Sequence, residues 1–315
     1  MNKKIKIIIA GIGGVGGYFG GLLAKQFSES KEVEIYFLAR GEHLEQIKTN
    51  GLKVVKGDTQ FIAKPKLATD NANEIGIADY IILCTKSYDL EKIIEQLKPC
   101  IDENTSLLPL LNGVDSAENI KNILPNATVF NGCVYIVALL QEAGVVANVG
   151  NIQKLFFGID NTISDQLILL ENIFKLATID TTLTKDISSI LWEKFHLVGA
   201  NSTATSYYEN STGEILADKT KNEFLISLLN EVNQIALAKG ISFNKDMVSV
   251  TMEKLHSFPF EATSSMQRDF QKPNTQTELE TITGFIIRAG QQLNIETPTF
   301  KIAYDELLKN SSTNA

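Results

Sequence analysis

Gly11-Ile12-Gly13-Gly14-Val15-Gly16, near the start of the chain, has the glycine spacing of a loop that holds a pyrophosphate. The loop follows the apolar run Ile5–Ala10 and opens a helical pattern that continues to about Phe27. Gly11 permits the tight turn, Gly13 lets the backbone approach the phosphates, and Gly16 lets the helix lie close to the strand, so that the first helical amides face the anion. A merely flexible turn would use the same glycines. The place between strand and helix, with a second apolar run at Val33–Leu38, points instead to a dinucleotide. That second run ends in Leu38-Ala39-Arg40-Gly41. NAD-selective sites carry Asp or Glu there to bond the ribose hydroxyls, whereas Arg40 offers a planar cationic fork suited to a phosphate, so NADP(H) is the expected cofactor. The alternative for Arg40 is a solvated surface arginine. Two later strand ends, Cys84-Thr85-Lys86 and Leu111-Asn112-Gly113, fall where ligands gather in such sheets. Lys86 could meet cofactor or a substrate carboxylate, or be only a solvated lysine ahead of a helix. Asn112 could bond the nicotinamide ribose or substrate, or be only an Asn-Gly turn.

These loops require an alternating scaffold. Ile5–Ala10, Val33–Leu38, Tyr80–Cys84 and Ser106–Leu111 read as strands, and Val129–Val149 and Gln153–Ile159 as further ones set off by Gly-Asn turns. Beyond Thr184 the segments Asp186–Tyr208, Lys221–Lys239, Lys245–His256 and Glu278–Leu293 carry helical periodicity, with Gly240 where a helix-ending glycine belongs. The expected fold is an α/β N-terminal Rossmann-type domain with a parallel sheet core over residues 1–184, followed by an all-helical C-terminal domain over 185–315. The tail Asn310–Ala315 is expected to be disordered.

Composition excludes other classes. A net charge of −8 without a basic run disfavours nucleic acid as a partner. Cys84, Cys100 and Cys133 lack the spacing of a zinc site and suit a reducing, cytoplasmic compartment. Glycines interrupt the apolar N-terminal run before it reaches membrane-spanning length, so no membrane association is expected. His43, His196 and His256 read as structural or solvated, although many 2-hydroxy-acid dehydrogenases use a histidine as proton donor. Neither a serine-nucleophile elbow nor an HExxH sequence is present to suggest hydrolysis. Amphipathic stretches Phe224–Leu237 and Ile282–Leu293 leave a homodimer open.

Lys194 lies among Trp192, Phe195 and Leu197 in a helical segment. Such a lysine could lay its stem on apolar surface and keep its head in water. Held against apolar walls, its ammonium would instead lose pKa toward the range of an efficient general acid.

The glycine loop, the LARGEHL segment from Leu38 to Leu44, Lys86, the LNG of Leu111–Gly113, the WEKF of Trp192–Phe195 and the TSSMQRD of Thr263–Asp269, followed by TEL and TG, together resemble the 2-dehydropantoate 2-reductases, or ketopantoate reductases. The likeness spans nearly the whole chain. It implies NADPH-dependent reduction of a small 2-keto acid, 2-dehydropantoate, to (R)-pantoate in pantothenate and coenzyme A biosynthesis. It implies Lys194 as the acid that protonates the carbonyl oxygen, and Glu278 as the carboxylate that orients it and meets substrate. Ser265 is implied as a carboxylate-binding serine and Ser264 is its competitor. The path from Asp269 to Glu278 is one residue longer than the family's, which makes Glu278, set in the family's Thr-Glu-Leu arrangement, a better match than a gapless count would give; Glu280 is the nearby alternative. The chain departs from the family in the helix after the lysine, where Val198, Ser202 and Thr212 stand at positions of expected asparagines, with Asn201 and Asn210 out of register. Reductases of other 2-keto acids share the plan. A catalytically silent NADP(H) sensor would keep the loop and Arg40 without needing Lys194 and Glu278 together.

Overall fold

The run Ile5-Lys6-Ile7-Ile8-Ile9-Ala10 forms β1, whose residues Ile7–Ala10 are at most 1% exposed. Alternate side chains enter different cores: Ile7 and Ile9 pack with Phe19, Phe37 and Phe157, whereas Ile8 and Ala10 pack with Ile81, Leu83 and Leu107. A strand buried on both faces must be apolar throughout, and each buried isoleucine contributes roughly 1.5 to 3 kcal/mol. The structure, a computed structural model, describes residues 4–273 and 275–313. The chain divides into one unit of residues up to Leu111 with Asp115–Ile187, and another of Asn112–Val114 with residues from Ser188 on.

In the first unit β1 is followed by α1 (Gly14–Gln26), β2 (Val33–Leu38), α2 (Gly41–Asn50), β3 (Leu52–Lys56), β4 (Thr59–Ala63), β5 (Leu67–Thr69) and β6 (Tyr80–Leu83). Then come α3 (Leu90–Leu97), β7 (Ser106–Pro109), α4 (Ser116–Ile123), β8 (Thr128–Val129), β9 (Asn131–Glu142), β10 (Val145–Gly158), α5 (Asp165–Leu176) and β11 (Thr181–Thr184). A six-stranded sheet has the order β5-β2-β1-β6-β7-β8, and all its neighbours are parallel. The order reverses direction between β1 and β6, so the loops after these two strands flank a switch point, the usual ligand position in such sheets.

The sequence expectation of a parallel-sheet core holds, but a second sheet, β11-β10-β3-β4 with β9 paired to β10, was not expected. Leu52 and Val54 alternate with more exposed residues, and the Gly57-Asp58 pair makes β3 and β4 a hairpin. The turn between β9 and β10 falls at Ala143-Gly144 rather than at Gly150-Asn151. The latter lies within β10, where the register with β9 shifts between Asn148 and Gln153.

The second unit is helical: α6 (Ile187–Tyr208, in this unit from Ser188), α7 (Thr212–Ala217), α8 (Lys219–Ala238), α9 (Met247–His256), α10 (Ser265–Phe270), α11 (Leu279–Leu293) and α12 (Pro298–Thr313). The tail expected to be disordered continues α12 to Thr313, and positions 314–315 lie outside the described residues. Buried Phe300, Ala303 and Leu307 anchor this helix along one stripe. The buried Glu231 carboxylate of α8 accepts the main-chain N–H groups of Thr299 at 2.8 Å and Phe300 at 3.0 Å, satisfying donors of its first turn.

His196 in α6 is fully buried, its Nδ1 2.9 Å from the Thr251 hydroxyl of α9. Burial drives its pKa down to about 4. Between about 6.5 and 4 the unfolded chain binds a proton that the folded chain refuses, so stability falls as pH falls through that window. Urea unfolding at about pH 7.5 and pH 4.5 should show wild type losing roughly 2 to 3 kcal/mol more than His196→Gln, by the free-energy equivalent of the pKa gap. Equal losses would exclude His196 as the acid-sensitive group.

Candidate functional site

At the end of β1 the chain turns at Gly11 with φ of +92°, where a Cβ would fall 2.8 Å from Thr85 Cγ2 and 2.9 Å from the Thr85 nitrogen. Gly16 brings α1 against the same place, since a Cβ there would fall 2.0 Å from the Gly11 oxygen and 2.8 Å from Cys84 Cβ. Gly14 is pressed onto β9, with a Cβ position 2.1 Å from the Ala138 carbonyl oxygen. Gly13, by contrast, has no heavy atom within 4 Å of its Cβ position. Ile12 is buried and Val15 packs against the core. No side chain caps α1 and no acidic residue occupies its first turn. Uncapped amides, open space at Gly13 and the absence of local negative charge are what a pyrophosphate requires, so the loop fits a dinucleotide.

Arg40 immediately precedes α2 with extended backbone, and its side chain is 77% exposed. Its Nη2 lies 3.3 Å from Asp89 Oδ2, an open-water contact worth roughly 0 to 1 kcal/mol that restrains the guanidinium only lightly. Lys86, half-buried, follows β6, and its main-chain oxygen accepts from the Asp89 N–H at 3.0 Å. Among the described residues no group of three or more His, Cys, Asp or Glu is placed to hold a metal ion.

In the second unit Asn112 brings together two residues far apart in sequence. Lys194 Nζ donates to Asn112 Oδ1 at 3.1 Å, and Asn112 Nδ2 donates to Glu278 Oε2 at 3.3 Å. Lys194 is half-buried on α6, whereas Glu278, 2% exposed, directly precedes α11. The two helices are locked beside these groups by an aromatic triad: Trp192 and Phe195, edge to face at 5.7 Å, meet Phe285 of α11 at 6.0 and 5.6 Å. A buried Thr203–Thr283 hydroxyl pair at 2.8 Å adds a polar tie. Glu280 faces away, exposed and paired with Arg288 at 2.9 Å and with the Tyr304 hydroxyl.

Ser264 and Ser265 separate in the same way. Ser264 Oγ caps α10 by accepting the Gln267 N–H at 3.0 Å, and it also accepts from the Thr205 hydroxyl at 2.8 Å. Ser265, half-buried, is the first residue of α10. Lys194, Val198 and Ser202 succeed one another at intervals of four on α6 and therefore share a face. Asn201 is buried one position off that face, its Oδ1 accepting from the Thr212 hydroxyl at 3.2 Å. Asn210 accepts from Lys221 at 2.6 Å. Sequence reasoning passed over Thr205, for which the Ser-x-x-Gln cap starting at Ser264 was the available signal. His43, read from the sequence as structural or solvated, accepts the Gly144 N–H at its Nδ1, at 2.8 Å.

A family model described as ketopantoate reductase PanE/ApbA matches residues 7–161, and the model of the same family's C-terminal part matches residues 186–310. The chain is 27% identical over 306 residues to the uncharacterized oxidoreductase YkpB of Bacillus subtilis, covering 96% of this chain and 98% of that protein. It is 26% identical over 305 residues to the 2-dehydropantoate 2-reductase of Lactococcus lactis, covering 93% and 94%. The crystal structure of 2-dehydropantoate 2-reductase from Porphyromonas gingivalis superposes with a TM-score of 0.85 at 34% identity, covering 97% of this chain and all of that one. With both halves matched in order by its models, the chain belongs to the ketopantoate reductase PanE/ApbA family of oxidoreductases.

Proposed function

We propose that this protein reduces 2-dehydropantoate to pantoate with NADPH, and that Lys194 donates the proton. The observation that carries this is the Lys194–Asn112–Glu278 chain, in which an ammonium is held by an amide that is itself held by a buried carboxylate. A bound reduced nicotinamide supplies the hydride that forms the new C–H bond at the ketone carbon. Lys194 Nζ gives a proton to the ketone oxygen as its charge develops, leaving a neutral amine that water reprotonates. Asn112 sets the direction of the ammonium, and Glu278 fixes the amide. Ser265 offers its hydroxyl to the substrate carboxylate, and Lys86 is a second cation for cofactor or carboxylate.

The glycine loop supports dinucleotide binding, and exposed Arg40 at the end of a strand without a terminal Asp or Glu supports NADPH over NADH. The keto-acid end of the substrate is addressed by Lys194, Glu278 and Ser265. Val198 and Ser202, on the lysine's face of α6, provide fewer amide donors for a distal hydroxyl than the asparagines expected there. Relaxed selection at that end extends the substrate range to hydroxyl-free 2-keto acids.

Lys194→Ala should lower turnover by about two to four orders of magnitude, the range for loss of a general acid, with NADPH affinity unchanged in fluorescence titration. Glu278→Gln should chiefly raise the Michaelis constant for keto acid, and Glu280→Gln should leave both constants near wild type. Near-normal turnover in Lys194→Ala at saturating keto acid would remove the proposed role. For the loop, Gly13→Ala should keep wild-type thermal stability and lose dinucleotide binding, because its Cβ enters open space. Gly16→Ala should lose stability as well, because its Cβ meets main-chain oxygen. Equal cofactor affinity in wild type and Gly13→Ala would mean that the phosphates lie elsewhere.

A further inference from the structure

His43 lies in the first turn of α2, three residues after Arg40, and no step above uses it. Its Nδ1 accepts the main-chain N–H of Gly144 at 2.8 Å, in the turn between β9 and β10. A neutral imidazole that accepts at Nδ1 carries its proton at Nε2. That Nε2 is buried and makes no hydrogen bond of normal geometry within the chain. The main-chain carbonyl of Ile12, second residue of the glycine loop, is near enough to favour a bound proton on the ring, although burial has the larger effect and lowers the pKa. The hairpin turn is itself pressed on α2: Gly144 has φ of +81°, and a Cβ there would come 2.9 Å from Gln46 Cβ. The same hairpin reaches the loop directly, since β9 carries the Ala138 carbonyl against Gly14.

We infer that His43 is a positioning residue for the dinucleotide loop, tying the Ile12 carbonyl to the Gly144 turn so that the following amide is presented to a pyrophosphate. A trans peptide carries its N–H opposite its C=O. Turning the Ile12 carbonyl toward the imidazole therefore turns the Gly13 N–H away from it, where a phosphate oxygen can accept it. Cofactor bound at the loop would draw Ile12 and Nε2 into a normal hydrogen bond, which gives the buried donor its partner. The pyrophosphate is common to NADPH and NADH, so His43 acts on both alike, whereas Arg40 addresses only the extra phosphate. The proposal rests on the reading of the first unit as a dinucleotide site.

Dissociation constants for NADPH and NADH, measured by fluorescence titration on wild type, His43→Leu, His43→Asn and His43→Gln, test it. His43→Leu should weaken both cofactors by a similar factor, about 5- to 10-fold, the effect of one hydrogen bond. His43→Gln, whose amide nitrogen can take the place of Nε2, should recover part of that loss. His43→Asn, which can replace only the Nδ1 acceptor, should recover less. If His43→Leu does not fold, the Gln and Asn variants carry the comparison, and equal affinities in these two would overturn the proposal. So would wild-type affinity in His43→Leu, or a loss confined to NADPH. Wild type binding neither cofactor would instead remove the dinucleotide reading itself, and the role of His43 with it.

Discussion

A carboxamide has one accepting end and one donating end, and in Asn112 both are committed. Its oxygen takes the Lys194 ammonium and its nitrogen serves the Glu278 carboxylate. The reverse orientation would set N–H against N–H and oxygen against oxygen, so these charges fix the amide and the amide fixes the charges. A buried carboxylate needs such partners, because an unpaired charge in that position would cost several kcal/mol. The arrangement holds only while α6 and α11 keep their relative placement, which the Trp192, Phe195 and Phe285 rings and the Thr203–Thr283 pair enforce. The apolar packing thereby supplies the precision with which the polar chain is held.

The first unit achieves precision by omission. At Gly14 and Gly16 the backbone approaches other backbone so closely that no side chain could be accommodated, and at Gly13 the space is left open. These glycines are consequently of two kinds: two bring the fold together, and one leaves space open beside the loop. Arg40 is held by little more than one contact with the half-buried Asp89 carboxylate, which leaves its guanidinium lightly restrained.

The sequence made some of this legible and hid the rest for physical reasons. Ile5–Ala10 with the loop after it could be read because a doubly buried strand must be apolar throughout and a close-packed turn must lack side chains. The long helices announced themselves by period, and Gly240 does adopt positive φ at the end of α8. The hairpin of β3 and β4 was short and half-exposed, so its alternation was faint. The helix α12 was missed because part of what starts it is Glu231, 68 residues before Thr299. For Lys194 and Glu278 the residue types and the family resemblance suggested roles, but their meeting through Asn112, 166 residues before Glu278, is a product of the fold. Of the paired candidates, the fold engages Ser264 in the α10 cap and Glu280 with Arg288. The cap at Ser264 could have been recognised from Gln267 three residues on, whereas the burial of Glu278 could not.

NADPH oxidation by the purified protein, followed by nicotinamide absorbance with chromatographic assay of the hydroxy acid formed, bears most directly on the proposed chemistry. With 2-dehydropantoate, one NADPH should disappear for each pantoate produced. The hydroxyl-free 2-ketoisovalerate should also be reduced, at a catalytic efficiency closer to that of 2-dehydropantoate than in a relative bearing the asparagines. Consumption of 2-ketoisovalerate alone would leave a 2-keto acid reductase with a different natural substrate. No NADPH oxidation with either acid, by protein shown to bind NADPH, would mean that Lys194, Asn112 and Glu278 do not form the proton-donating centre of a reductase for these keto acids.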